Sequence, residues 1–198
     1  MTYTEQYFHE AITVIEGIDQ GTIERMAELL AEVRQAGGRV FFLGVGGGAG
    51  HASHAVNDFR KIAGIEAFTP TDNVSELTAR INDDGWDTAY ANWLQESHLK
   101  PTDMVFVFSV GGGDVDRNIS VILVRALQYA KQVGAKVCGV VGRNGGYTAQ
   151  VADVCVLIPV VNAATVTPHT ESFQAMVWHL LASHPKLRAS EMKWESVH

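Results

Sequence analysis

The chain has 198 residues, of which 46% are hydrophobic, and its formal net charge is -7. That length and composition suffice for one compact α/β domain with a sizeable core. The negative charge argues against general binding of nucleic acids or anionic membranes. The first ten residues, MTYTEQYFHE, carry no basic and apolar leader, and no apolar run is long enough to span a bilayer, so we expect a cytoplasmic protein.

Helices and strands are predicted in alternation along the chain. Helical periodicity covers residues 3–19 and 22–36, which form an N-terminal arm over about residues 1–36. The elements predicted next are strand 40–43, helix 49–62, strand 65–68, helices 74–80 and 86–97, strand 104–108, helix 116–133, strand 136–141, helix 147–152, strand 154–158 and helix 169–183. Because each strand is a continuous apolar run, we expect a parallel sheet with helices on both faces.

We expect residues 1–198 to form a single domain, because no linker or low-complexity segment interrupts them. The polar tail over about residues 185–198 is expected either to fray or to pack on a neighbouring subunit.

Two glycine-rich loops each follow a predicted strand and precede a predicted helix. The first reads GVGGGAG over residues 44–50, and the second reads SVGGGD over residues 109–114. Glycine lets a backbone approach a ligand closely, and a helix N-terminus offers unpaired N–H groups. Two such loops favour a ligand held between them at the carboxyl edge of the sheet. A dinucleotide fingerprint, Gly44-x-Gly46-x-x-Ala49 with Glu66 as the ribose partner, is an alternative that leaves the second loop unexplained.

Two helices each carry a carboxylate and an imidazole on one face. His54 and Asp58 are four residues apart, and Glu171 and His179 are eight apart on a largely apolar helix, where ionisable groups need partners. Such a set suits a mononuclear metal site or an acid–base pair, whereas a lone His–Asp pair is commonly a surface hydrogen bond. The remaining histidines are expected to be surface or structural residues, with His51 and His169 the exceptions that lie close to a proposed site segment.

Taken as a whole, the chain resembles members of the sugar isomerase (SIS) domain family, and most closely the phosphoheptose isomerases. The residues that carry the resemblance are the first glycine loop, His54 with Asp58, Asn82-Asp83 before Gly85, Ser109 at the second loop, and Glu171 with His179. The resemblance covers nearly the whole chain and implies a flavodoxin-like three-layer α/β fold and a homotetramer with sites at subunit interfaces. It implies an aldose–ketose isomerase that converts sedoheptulose 7-phosphate to D-glycero-D-manno-heptose 7-phosphate through an enediol.

The resemblance also implies roles for individual residues. Asp58 is expected to be the catalytic base and His179 its acid partner, and Zn²⁺ is expected to bind through His54, Asp58, Glu171 and His179. Because a metal ligand is not at the same moment a free base, the two roles of Asp58 stay open as alternatives. The substrate and its phosphate are expected at Gly46, Gly47, Gly48, Ala49, Asn82, Asp83, Ser109, Gly111, Gly112, Gly113, Asp114 and Glu171.

The glycine loops depart from the family pattern. The second loop keeps one hydroxyl, that of Ser109, and adds the carboxylate of Asp114, which repels a phosphate unless it is turned away or paired, with Arg117 as the candidate partner. Loss of loop hydroxyls favours a non-catalytic sugar-phosphate-binding or regulatory SIS protein, of the type that associates with replication initiators. Retention of His54, Asp58 and His179 favours an enzyme.

Overall fold

The structure, a computed structural model, describes residues 1–192. Its strands are β1 (Val40–Gly44), β2 (Ala67–Phe68), β3 (Met104–Ser109), β4 (Lys136–Val141) and β5 (Val154–Leu157). Its α-helices are α1 (Tyr3–Gly17), α2 (Gln20–Gln35), α3 (Gly47–Lys61), α4 (Val74–Asp84), α5 (Ala89–Glu96), α6 (Val121–Val133), α7 (Gly146–Val151) and α8 (Val166–Ser183), the last preceded by a 3₁₀ turn (Ala163–Thr165).

The five strands form one parallel sheet in the order β2-β1-β3-β4-β5. The predicted parallel sheet is thereby confirmed. After β1 the chain continues to β2 on one side, and β3 pairs with β1 on the other side, so the strand order reverses between β1 and β3. Ligands bind at such a switch point, at the carboxyl ends of the strands. Both glycine loops leave the sheet there, because one follows β1 and the other follows β3.

Helices cover both faces of the sheet, as the apolar strands predict. Neighbouring strand residues point to opposite faces, so Phe42 packs on Phe59 of α3 with ring centroids 5.0 Å apart. Phe41 faces the other side and packs on Trp93 of α5 at 5.5 Å. The first face is covered by α1, α2, α3 and α8, and the second by α4, α5, α6 and α7. Full burial of a phenylalanine contributes about 1.5–3 kcal/mol, so such pairs hold the layers together.

Six of the eight helices in residues 1–192 begin at residues other than those predicted, and for three of them the local structure gives the reason. Helix α3 begins at Gly47, inside the glycine loop, because the Gly48 N–H already donates to the Val45 carbonyl. Helix α6 begins at Val121 instead of residue 116, because residues 114–119 are held in an antiparallel bridge. Helix α8 begins at Val166 and contains Pro168 in its first turn, where a backbone N–H has no helical partner to lose.

The described part of the polar tail packs on its own subunit. Leu187 is buried, and the Ala189 N–H donates to the Ile62 carbonyl at 2.8 Å. The Arg34 guanidinium donates to the Leu187 carbonyl. Residues 185–190 therefore do not fray, and residues 193–198 of the predicted tail lie outside the described part of the chain. Across residues 1–192, no helix combines the length and apolar character needed to cross a membrane.

Candidate active site

Helices α3 and α8 bring His54, Asp58 and His179 together on one face of the sheet. The Asp58 Oδ2 atom lies 3.9 Å from His54 Nε2 and 4.0 Å from His179 Nε2. The Asp58 side chain is 3% exposed, whereas those of His54 and His179 are 58% and 42% exposed. The structure thus places a buried carboxylate beneath two solvent-facing imidazoles, which we call the imidazole–carboxylate trio.

Aromatic packing fixes the orientation of the two imidazoles. The ring of Trp178, which is almost fully buried, lies 3.5 Å from that of His179 and 4.6 Å from that of His54. The His179 Nδ1 atom lies 2.8 Å from the Ala175 carbonyl oxygen. When Nδ1 carries the proton that this contact requires, the lone pair of the imidazole lies on Nε2.

The trio fits a divalent metal ion. One ligand atom from each residue lies within 4.8 Å of the other two. Asp58 Oδ1 accepts a hydrogen bond from Asn57 Nδ2 at 2.8 Å, but the buried Oδ2 has no hydrogen-bond partner among the described residues. A buried carboxylate oxygen needs such compensation. Ligands about 2.0–2.1 Å from a tetrahedral zinc ion lie about 3.3 Å from one another. The distances from Asp58 Oδ2 to the two imidazoles would therefore shorten by about 0.6 Å, and the widest separation, up to 4.8 Å, by about 1.5 Å.

Glu171 is not part of this group of three, so its expected place among the zinc ligands stays a prediction. Its carboxylate lies against Gly47 at the first residue of α3, where any side chain at position 47 would collide with it. Eight residues of helix advance about 12 Å along the axis, so Glu171 and His179 share a face but lie about two turns apart. The position of Glu171 is electrostatically favourable, because the N-terminal end of a helix attracts negative charge.

His51, on the first turns of α3, lies between the two parts of the site. Its ring centroid is 6.0 Å from that of Phe108, and it interacts with the charge and the backbone of Glu171. Burial lowers the pKa of His51, although the negative charge of Glu171 opposes this shift. His51 therefore belongs to the site region, as its sequence position suggested.

A cleft of about 610 Å³ opens at the carboxyl edge of the sheet, between the second glycine loop, the turn after β4 and the start of α8. Half of the expected substrate residues line it, namely Gly48, Ser109, Gly111, Gly113, Asp114 and Glu171. The structure therefore brings both glycine loops to one cleft, as the sequence predicts.

The other expected substrate residues do not line this cleft; they are Gly46, Gly47, Ala49, Gly112, Asn82 and Asp83. Asn82 and Asp83 are exposed near the end of α4, where the Asn82 amide donates to the Asp83 carboxylate at 2.8 Å. The Ala49 N–H donates to the Gly46 carbonyl in the first turn of α3, so it is already used.

The second glycine loop is held by close backbone packing. Gly112 has a φ of +73° and packs on the Gly145 carbonyl so closely that no Cβ fits there. The Gly112 N–H donates to Ser109 Oγ at 3.0 Å, and the Gly112 carbonyl accepts from the Thr148 hydroxyl at 2.7 Å. The Gly112 N–H is thus used within the loop in this structure, and its expected contact with a phosphate stays a prediction.

Asp114 is paired in the way the sequence suggested. Its Oδ1 atom accepts from the Arg117 backbone N–H at 2.9 Å, and its Oδ2 atom lies 3.8 Å from Arg117 Nε. Both side chains line the cleft, and the pair offsets the negative charge that Asp114 brings to it.

Two cleft residues were missed by the sequence analysis. Gln174 is fully buried on α8, and its Nε2 donates to the carbonyls of Ser109 at 3.0 Å and Val140 at 2.8 Å. It thereby joins the ends of β3 and β4 to α8. Arg143 lines the cleft from the turn after β4, with a φ of +53°. Gln174 lies within a predicted helix and Arg143 follows a predicted strand, but no spacing rule distinguishes them from ordinary core or turn residues.

His169 has a structural partner instead of a place in the cleft. Its Nε2 atom lies 3.0 Å from Glu10 Oε2, and its ring stacks on Tyr7 at 4.3 Å. Hydrogen bonds to Glu10, chiefly from the Asn162 amide, hold the pKa of that carboxyl at about 2. This network fastens α1 to the start of α8.

Comparison with known proteins places the chain among sugar isomerases. Residues 6–142 match the model of the SIS domain. A phosphoheptose isomerase of Rhodospirillum rubrum is 30% identical over 80% of this chain and 81% of its own length. The lincomycin biosynthesis protein LmbN of Streptomyces lincolnensis is 34% identical over 78% of this chain, which spans only 58% of LmbN. The structure of phosphoheptose isomerase from Neisseria gonorrhoeae shares the fold, with a TM-score of 0.77, 23% identity, and coverage of 90% of this chain and 94% of that one.

Proposed function

Because the chain belongs to the SIS domain family, we propose that it is an aldose–ketose isomerase whose substrate is sedoheptulose 7-phosphate. The observation that carries the proposal is the imidazole–carboxylate trio of His54, Asp58 and His179, which meets at the surface between α3 and α8. A protein that only binds a sugar phosphate has no need for titrating groups in this arrangement, so the trio favours the enzyme over the regulatory alternative.

The reaction moves a proton between C1 and C2 of the sugar through an enediol, and needs a base and a donor to the oxygens. Asp58 is 3% exposed, so direct proton abstraction by it requires that an imidazole move aside. We therefore assign the contact with the substrate carbon to His179 Nε2, with Asp58 holding the positive charge that develops on the imidazole. His54, at 58% exposure, is placed to exchange a proton with a substrate oxygen.

A zinc ion held by His54, Asp58 and His179 would supply Lewis-acid polarisation of the sugar carbonyl. The same three side chains serve either as metal ligands or as proton-transfer groups at a given moment. The metal dependence of turnover distinguishes the two roles. With two imidazoles and one carboxylate, the trio supplies three protein ligands and leaves a fourth position for substrate or water.

We also propose that the protein is a homotetramer. Helix α1 buries Val14, while Phe8, Ile12 and Ile15 are 64%, 54% and 46% exposed on its other face. An exposed apolar stripe of this kind is typical of an interface, and a further copy of this chain is the proposed occupant. Because phosphorylated sugars are charged and do not cross membranes unaided, we also place the activity in the cytoplasm.

The test is turnover of sedoheptulose 7-phosphate by the untagged protein, as isolated, after chelation and after readdition of Zn²⁺. Formation of the aldose by the wild type, with a loss of at least about 100-fold in kcat for His179→Gln, supports the proposal. Activity that disappears on chelation and returns with zinc assigns the trio to metal binding, and unchanged activity assigns it to proton transfer. Absence of aldose under all three conditions would refute the enzyme and leave the sugar-phosphate-binding protein.

A further inference from the structure

Arg143 occupies a backbone conformation that is unusual for a long side chain. Its φ of +53° lies in the left-handed region, which glycine and asparagine adopt more readily than arginine. Ser120, with a φ of +50°, lines the same cleft. Strained residues that gather around a cleft suggest a functional constraint there.

The guanidinium of Arg143 differs from the other charges of the cleft. Arg117 is paired with Asp114 at 3.8 Å, and the carboxylate of Glu171 lies against the start of α3. Within residues 1–192, Arg143 takes part in no ion pair and no hydrogen bond. It is therefore the cation of the cleft that is available to an anionic ligand.

The facing loop supplies little of its own for an anion. Gly111 and Gly113 have no side chains, and the Gly112 N–H is bonded to Ser109 Oγ. The stem of Arg143 passes 3.9 Å from the position of a Cβ on Gly111, so the arginine side chain lies along the loop. The planar fork of a guanidinium can donate two parallel hydrogen bonds to a phosphate.

We propose that Arg143 binds the phosphate group of the substrate and selects phosphorylated over unphosphorylated sugars, an inference that rests on the proposed isomerase function. A guanidinium replaces the loop hydroxyls as the main contact to the phosphate. Glu171 lines the cleft and precedes His179 by eight residues, about 12 Å along α8. A ligand that reaches both the cleft and the trio is therefore extended, as an open-chain sugar phosphate is.

Arg143→Asn is the sharpest variant, because asparagine tolerates the left-handed conformation and removes the guanidinium with most of its stem. Arg143→Lys keeps the charge without the fork. Arg125→Gln is the matched control for loss of one positive charge, since Arg125 is exposed on α6 and its side chain donates to Gln128 Oε1 at 3.2 Å. Melting temperatures of all variants are measured first, and that of Arg143→Asn is expected to match the wild type or exceed it.

Calorimetric titration with inorganic phosphate tests the site without any turnover. Arg143→Asn is expected to weaken phosphate binding by at least about 10-fold, with Arg143→Lys intermediate and Arg125→Gln within about twofold of the wild type. Where turnover is present, the same variant should raise KM for the sugar phosphate by a similar factor while kcat changes less. Equal phosphate affinity of Arg143→Asn and wild type, or absence of phosphate binding by the wild type, would overturn the proposal. Phosphate binding that depends on Arg143 in a protein without isomerase activity would refute the proposed function and leave this site standing.

Discussion

Replacement of Asp58 by asparagine separates a catalytic trio from a polar contact between helices. Asparagine has nearly the shape of aspartate, and its carbonyl oxygen is able to accept the hydrogen bond from Asn57. The change removes the negative charge that lies beneath His54 and His179. We expect the fold to survive and the turnover of sugar phosphate to fall.

The size of the loss follows from the distance between the charges. At 4.0 Å, a carboxylate and an imidazolium attract each other by about 4 kcal/mol at an effective dielectric constant of about 20. Because His179 is 42% exposed, screening by water lowers this to about 2–3 kcal/mol. The expected loss in kcat is therefore about 100-fold, within the range typical of acid–base groups.

The stability of the variant distinguishes the two explanations. Asp58 Oδ2 is buried without a hydrogen-bond partner among the described residues, so its charge destabilises the metal-free fold. The melting temperature of metal-free Asp58→Asn is therefore expected to equal or exceed that of the wild type. A purely structural contact predicts a lower melting temperature with near-normal turnover. Asp72→Asn is the control. Asp72 accepts a hydrogen bond at 2.7 Å from the hydroxyl of Ser53, which lies on α3 as Asp58 does, but Asp72 is not part of the trio. Near-normal kcat in well-folded Asp58→Asn would refute the reasoning.

Glu10→Gln should flatten the acid dependence of stability, because hydrogen bonds led by that of Asn162 lower the pKa of Glu10 from 4.5 to about 2 in the folded protein. Because the pKa is lowered, the carboxylate stabilises the fold above pH 4.5, and this contribution is lost as the pH falls toward 2. Urea unfolding of the variant and the wild type across this pH range tests the prediction. Parallel plots of unfolding free energy against pH for the two proteins would contradict it. Gln174→Leu removes the two hydrogen bonds from Nε2 to the Ser109 and Val140 carbonyls and should lower the free energy of unfolding by about 1–3 kcal/mol in denaturant titrations, whereas an unchanged value would show that the bridge is dispensable. Light scattering should give the tetramer mass for the wild type and a smaller mass for Ile12→Asp; a monomeric wild type at micromolar concentration would exclude the tetramer.

The parallel sheet was predictable because few other folds accommodate strands that are apolar at every position. Phe41 and Phe42 are both buried, one on each face, so β1 is a continuous apolar run that only a doubly covered sheet accommodates. Helix boundaries were less predictable where a loop forms its own hydrogen bonds. The bridge between Asp114 and Ile119 delays α6 by five residues, and no local propensity indicates such a pairing.

The site was predictable in part. The four-residue spacing of His54 and Asp58 indicates one helix face, and both residues do meet His179. The eight-residue spacing of Glu171 and His179 gives the face but not the axial distance of about 12 Å, so it does not predict whether the two side chains meet. Arg143 was not predictable from the sequence. Its role depends on the loop against which the turn after β4 packs, and only the tertiary structure determines this contact.

Incubation of the protein with sedoheptulose 7-phosphate in D₂O, followed by NMR of the sugar, tests the central claim most directly. An enediol route through the trio exchanges the transferred proton with solvent, so the aldose that forms should carry deuterium at C2. Asp58→Asn should form it about 100-fold more slowly, as the charge separation of 4.0 Å predicts. Absence of the aldose, or its formation at the same rate by Asp58→Asn and wild type, would contradict the account.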